Sequence, residues 1–202
     1  MGTLQVGFET LLRGFDPEIL KQDSCVAYGL WPDLSLCYVN RGWKEFASKN
    51  GGDSDISSRW RLGSRVLDAV SDELKIFYQN VYSQCFSYSK PWSHEYECSS
   101  PELFRRFEQT FFPLKMNEGL LVVNRLLTET LHDPAEHIAT SPDEEWYRNE
   151  AGILRQCSNC RRTQNIGSLD RWDWVPEWVR QPADATRFVL CPSCLDSDYA
   201  HP

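Results

Sequence analysis

The sequence predicts an α+β fold: an antiparallel five-stranded sheet with helices on one side, a helix in front of it, and a small cysteine-stapled module at the C-terminal end. Three observations lead there. Between about residues 24 and 129, two strand patterns, several helical patterns and three further strand patterns follow one another. The composition shifts after Leu131 to an acidic, proline-containing stretch. Two Cys-x-x-Cys pairs, Cys157/Cys160 and Cys191/Cys194, lie beyond that shift. The expected organisation is a helical segment over residues 1–20, the sheet domain over 21–130, a connector over 131–150 and the cysteine module over 151–202.

The bulk numbers agree with a folded chain. Of 202 residues, 41% are hydrophobic and 13% aromatic, enough for a core and too many for a disordered chain. A formal charge of −8 repels nucleic acid and anionic membranes at long range, so no nucleic-acid or membrane partner is expected. The first apolar stretch lacks a basic leader, and no run approaches the ~18 apolar residues of a membrane span. The chain is therefore expected in the cytoplasm, where structural disulfides are rare. Its eight cysteines need another account.

Leu4, Phe8, Leu11, Leu12 and Phe15 fall at i, i+4, i+7, i+8 and i+11, one face of an amphipathic helix. Two uses fit that face: packing on the chain's own domain, or pairing with a second copy. Asp16 and Pro17 read as the cap and first position of another helical turn. "SCVAYGLWPDLSLCYVN" gives two short strands around a Pro32-Asp33 turn, and Asn40 caps a short helix carrying Trp43, Phe46 and Ala47. "KNGGDSD" breaks that helix, and "RWRLGSRVLDAV" links onward. Leu74, Phe77, Tyr78, Val81, Tyr82, Cys85 and Phe86 recur every three or four residues, which predicts a long helix ending before Pro91. "PWSHEYECS", "LFRRFEQTFFPL" and "GLLVVNRLLTE" are the three returning strands, the last two joined through a turn at Gly119.

This order of elements, with "YGLWPDLSLCYVN", "PWSHEYECSSPELFRRFE" and "GLLVVNRLL", resembles a bacterial PAS-like family over roughly residues 20–130. The resemblance implies a sensory or protein-interaction module. Some such domains bind haem, flavin or a small metabolite between the sheet and the long helix. The chain departs from those versions: the helix from Asp72 to Tyr88 has no histidine, and no photoreactive flavin cysteine motif is present. Cys25, Cys37, Cys85 and Cys98 read as small buried hydrophobes. Tyr28, Trp43, Tyr78, Tyr82, Tyr96 and Glu97 are the candidate lining of a small-molecule cavity, with plain core filling as the alternative use of the aromatics. His94 reads as a hydrogen-bonded structural residue.

Each Cys-x-x-Cys can turn two sulfurs toward one point, and two such turns supply the four thiolates of a closed structural zinc site. The metal also replaces a core that some fifty residues cannot easily build. The gap between Cys160 and Cys191 exceeds the simplest four-cysteine spacing, so "DRWDWVPEWVRQPADATRF" must form structure of its own. "CSNCRRTQNIGSLDRWDWVPEWV" and "LCPSCLDSDY" resemble, over residues 153–199, a cysteine module that follows PAS or receiver domains in bacterial sensors and response regulators. Such modules often place a histidine before the second pair. Here Phe188, Val189 and Leu190 stand there.

Other uses of the thiols remain open. A redox dithiol wants one pair at a helix start in a βαβ setting. An iron–sulfur cluster accepts the same ligands. A nucleic-acid-reading ribbon wants clustered cations, whereas residues 150–202 hold six arginines, no lysine and seven acids. His132 and His137 in "HDPAEH" lack the i, i+4 spacing of a zinc protease. No phosphate loop or nucleophile elbow stands out. The expectation is a sensing or interaction protein without catalysis, acting through a signalling partner or its own homodimer. A thiol redox sensor and an enzyme using the PAS-like cavity are the competing readings.

Overall fold

The computed structural model describes residues 3–15, 20, 25–50 and 59–199. The helical turn expected at Asp16-Pro17 and the glycine break after Asn50 lie outside the described residues. Contacts divide the chain into two units: Met1–Val70, Tyr78–His94 and Glu108–Leu126 form the first, and Ser71–Phe77, Glu95–Phe107 and Leu127–Pro202 the second.

The first unit is built on a sheet. β1 (Thr3–Leu4), β2 (Cys25–Leu30), β3 (Leu36–Val39), β4 (Trp92–Glu97), β5 (Leu103–Leu114) and β6 (Gly119–Leu131) lie in the order β1-β3-β2-β6-β5-β4. β4, β5 and β6 also run into the second unit. β2 and β3 form a hairpin around Pro32-Asp33, closed where Asp33 Oδ1 accepts Ser35 N–H at 2.9 Å. β6 lies antiparallel along the whole of β2, Cys25 opposite Arg125 and Leu30 opposite Leu120.

Asn40 ends β3 and starts α2 (Arg41–Lys49; α1 is described below). Its Oδ1 accepts the N–H of Trp43 at 2.8 Å as a helix cap and the N–H of Ala27 at 3.0 Å. The close seat of α2 on β2 depends on Gly42, where a Cβ would fall 2.1 Å from the Cys25 carbonyl oxygen. α3 (Asp72–Tyr88) has the bounds that its apolar repeat predicts.

Three expectations are corrected. The sheet has six strands, not five, because Thr3 and Leu4 pair with Val39 and Tyr38 at its edge. Among the described residues, the helix expected over the Leu4–Phe15 stripe is confined to α1 (Phe8–Leu11), and Gly7 at φ +99° sets its start. Phe8 and Leu11, 0% and 7% exposed, sink into the core with Cys25, Cys37, Tyr38, Leu121 and Val123.

That packing also overturns the picture of helices on one side only. Side chains alternate along a strand, so the residues that meet Phe8 and those beside Tyr28 point to opposite faces. Phe8 lies on the backbone of Gly29, where a Cβ would come within 2.4 Å of its ring. On the other face Tyr28 packs edge-on against Trp43 of α2. Near-continuous burial along β2 and the first half of β6 follows from a sheet covered on both faces.

The second unit contains its own four-stranded sheet, β10-β7-β8-β9. β7 (Leu154–Cys157) pairs parallel with β10 (Thr186–Val189) and antiparallel with β8 (Thr163–Gln164), which pairs with β9 (Trp172–Asp173). A parallel pair needs a crossover, and the tryptophan-rich stretch supplies it with α4 (Pro176–Arg180). Tyr147, Leu154, Val175 and Trp178 form a small core there. α5 (Pro192–Asp198) follows β10. No helix among the described residues is long and apolar enough to cross a membrane.

Candidate metal centre

The parallel pairing of β7 and β10 brings the two cysteine pairs to one end of the second sheet. Its register sets Cys157 opposite Val189, two residues before Cys191. Ser158 N–H donates to the Val189 carbonyl at 2.6 Å and locks that register. The first pair turns on a tight knuckle: Cys157 N–H donates to Arg162 O at 2.8 Å, and Arg161 N–H to Cys157 O at 3.1 Å. Arg161 takes φ +63°, the left-handed backbone that such a turn needs. The second pair forms at the start of α5, with Cys191 as N-cap, Pro192 at the first helical position and Cys194 one turn on.

One ligand atom from each of Cys157, Cys160, Cys191 and Cys194 lies within 4.8 Å of every other. All four are buried, at 0%, 5%, 4% and 7% exposure. The Cys160 and Cys191 sulfurs stand 3.8 Å apart, and Cys191 N–H points at the Cys157 sulfur at 3.4 Å. Thiol–thiolate hydrogen bonding within the cluster lowers Cys157, Cys191 and Cys194, while the same neighbours hold the proton on Cys160 and push it up. Four converging soft donors, three of them with a lowered pKa, can hold a metal ion in a closed shell. Trp172 and Leu190 pack over the cluster.

The residues between the cysteines are tied down as firmly. Asn159, 2% exposed, accepts Glu97 N–H at 2.8 Å and donates to Asp198 Oδ2 at 2.7 Å. Arg106 holds the other Asp198 oxygen at 2.8 Å and Glu95 at 2.9 Å. Ser158 Oγ meets Ser71 Oγ at 3.0 Å, and Leu190 N–H donates to Glu73 at 2.9 Å. The strand ends and the first turn of α3 that belong to this unit thus brace both pairs. Sequence reasoning missed Asn159, Asp198, Ser71 and Glu73. The available signal was the asparagine inside "CSNC", a side chain able to donate and accept at once.

The proposed cavity residues separate. Tyr28, Trp43, Tyr78 and Tyr82 meet in the first unit, with Tyr78 stacked on Tyr82 at 6.1 Å and Tyr82 against Phe111 at 5.6 Å. Burial pushes the Tyr28 hydroxyl up to about 12, against a hydrogen bond from Tyr82. The buried Trp43 indole N–H has no hydrogen-bond partner among the described residues. Tyr96 instead stacks on Phe107 at 5.6 Å in the second unit. There Glu97 accepts from Ser99 at 2.6 Å, and burial raises its pKa. His94 meets Gln109 at 3.2 Å and Gln109 donates to Asn124 at 2.8 Å, a polar relay across three strands.

No protein-family model matches the chain, and no curated protein matches its sequence.

Proposed function

We propose that this chain is a non-catalytic sensory or interaction module of PAS-like type, whose C-terminal part is stapled by one structural zinc ion on Cys157, Cys160, Cys191 and Cys194. The convergence of the four buried sulfurs carries the reading. Zinc–sulfur bonds of about 2.3 Å put tetrahedral sulfurs about 3.8 Å apart. The Cys160–Cys191 separation of 3.8 Å matches that edge. Four protein ligands leave no open position for a substrate, so the metal's work is to fold the chain.

The PAS-like part of the proposal is supported by element order: two strands, short helices, a long helix and three returning strands, with β6 beside β2. The tyrosine cluster around Tyr28 and Tyr82, with a Trp43 N–H that has no partner among the described residues, supports a small-molecule site in the first unit. Signalling through a partner protein or a second copy belongs to the same proposal. Metal analysis of freshly purified protein, with native mass spectrometry for a retained metabolite, tests both halves. One zinc per chain is the expected result; folded metal-free protein contradicts it.

A thiol redox sensor is the second reading, favoured by the approach of Cys160 to Cys191. It requires mild oxidant to release the metal and form a disulfide, which thiol counting and intact mass detect.

A further inference from the structure

The loop Arg59–Arg65 gathers three cations that form no ion pair among the described residues. Arg59, Arg61 and Arg65 are exposed and line an open cleft of about 810 Å³ with Trp60, Leu62, Gly63, Ser64 and a single carboxylate, Asp68. The chain as a whole carries −8. Several arginines elsewhere hold carboxylates: Arg105 holds Glu129 at 2.6 Å, Arg125 holds Glu108 at 2.9 Å and Arg148 holds Glu144 at 2.6 Å. None of the three loop arginines has an ion pair among the described residues. Ser35 hydrogen bonds chiefly lower the Asp33 carboxyl and the Arg65 guanidinium adds to that, so among the described residues Arg59 and Arg61 are the pair without an anionic partner.

The loop is a fixed frame. Gly63 N–H donates to Leu36 O at 2.7 Å, Leu36 N–H to Ser64 O at 2.8 Å, and Val66 N–H to Leu34 O at 3.1 Å. Ser64 bridges the loop internally through Oγ to Arg59 O at 2.9 Å. The Arg59 guanidinium sits 5.1 Å from the centre of the Trp60 ring, a cation–π contact that limits its rotamers before any ligand arrives. Pre-set donors lose less entropy on binding.

We propose that Arg59 and Arg61 bind a phosphate-bearing small molecule in this cleft. Guanidinium groups match phosphate oxygens in bidentate pairs, and two of them balance a dianion. The surrounding charge selects for size. With a Debye length of about 8 Å a small anion in the cleft feels chiefly its three arginines and Asp68, whereas a nucleic-acid strand also lies against the surface of a chain that carries −8. This site is independent of the metal and of the PAS-like reading.

Calorimetric titration of the whole zinc-loaded chain with pyrophosphate tests the proposal. Wild type binds, Arg59→Ala and Arg61→Ala each weaken binding about tenfold, and Arg155→Ala, in the second unit, does not. The loop's hydrogen bonds use backbone and Ser64, so the variants keep their fold. Should one fail to fold, phenylglyoxal labelling of wild type gives the answer: pyrophosphate must shield Arg59 and Arg61 and leave Arg155 reactive. No heat with wild type, equal binding by the variants, equally tight binding of succinate, or tighter binding of duplex DNA overturns the proposal.

Discussion

The two units solve the same problem with different means. The first buries apolar side chains on both faces of a sheet, with Phe8, Ala27, Cys37 and Leu121 fully buried in one cluster. In the second, Tyr147, Leu154, Val175 and Trp178 form one small cluster and the four cysteines another. Strands of two to four residues dominate its own sheet. Strands this short around a small cluster offset little conformational entropy, and a metal–thiolate shell is the usual supplement. The comparison predicts that the units fail under different insults.

Metal removal has the largest expected effect. A four-cysteine zinc site contributes on the order of 10 kcal/mol to the part that it folds. Chelation, or Cys157→Ser with Cys191→Ser, should abolish hydrogen-exchange protection in β7 and β10 while β2 and β6 keep theirs. Equal loss in both sheets would mean that the metal supports the whole chain.

Phe8→Ala is the mirror experiment. Emptying a fully buried phenylalanine site costs about 3–5 kcal/mol. The denaturant midpoint of the first unit should fall, with the zinc still retained at one per chain.

Asn159→Ala is smaller and local. It strands the Glu97 N–H and one bond of the Asp198 carboxylate, at a cost of about 1–3 kcal/mol. Zinc transfer to a chromophoric chelator should speed up, while the first unit's midpoint stays put.

The smallest effect is a pH dependence in the second unit. Burial, then His132 and the Arg162 guanidinium, lower the His137 pKa from its ordinary 6.5. His137 packs against His132 with ring centres 4.3 Å apart and against Trp174 at 5.0 Å, and Asp133 and Glu136 partly oppose the shift. A depressed folded-state value means that the folded state binds fewer protons than the unfolded state. The stabilising contribution is therefore present above 6.5 and is lost as pH falls through the folded value. Urea midpoints at about pH 7.5 and 5.5 should differ more in wild type than in His137→Gln. An unchanged difference would remove His137 from the account.

Local signals made part of this legible in the sequence. The repeat from Leu74 to Phe86 gave the long helix, Asn40 its cap role, and the cysteine spacing the candidate ligands. What stayed hidden was non-local. Gly29 in a strand does not announce that Phe8 will lie on it, and Leu4 fits a helical stripe as well as an edge strand. Tyr96 and Glu97 follow the strand alternation of His94, yet their neighbours come from Phe107, Ser99 and Asn159. Which partners a strand end meets depends on the path of the chain, and a periodicity carries no record of that path.

The central claim is that a metal, not apolar burial, holds the C-terminal sheet. Stepwise titration of the purified chain with a thiol-specific mercurial, reading zinc release and far-UV circular dichroism together, tests it most directly. One zinc per chain should leave as Cys157, Cys160, Cys191 and Cys194 react, with simultaneous loss of β7–β10 structure. Protein that carries no zinc yet shows the intact second sheet would contradict it.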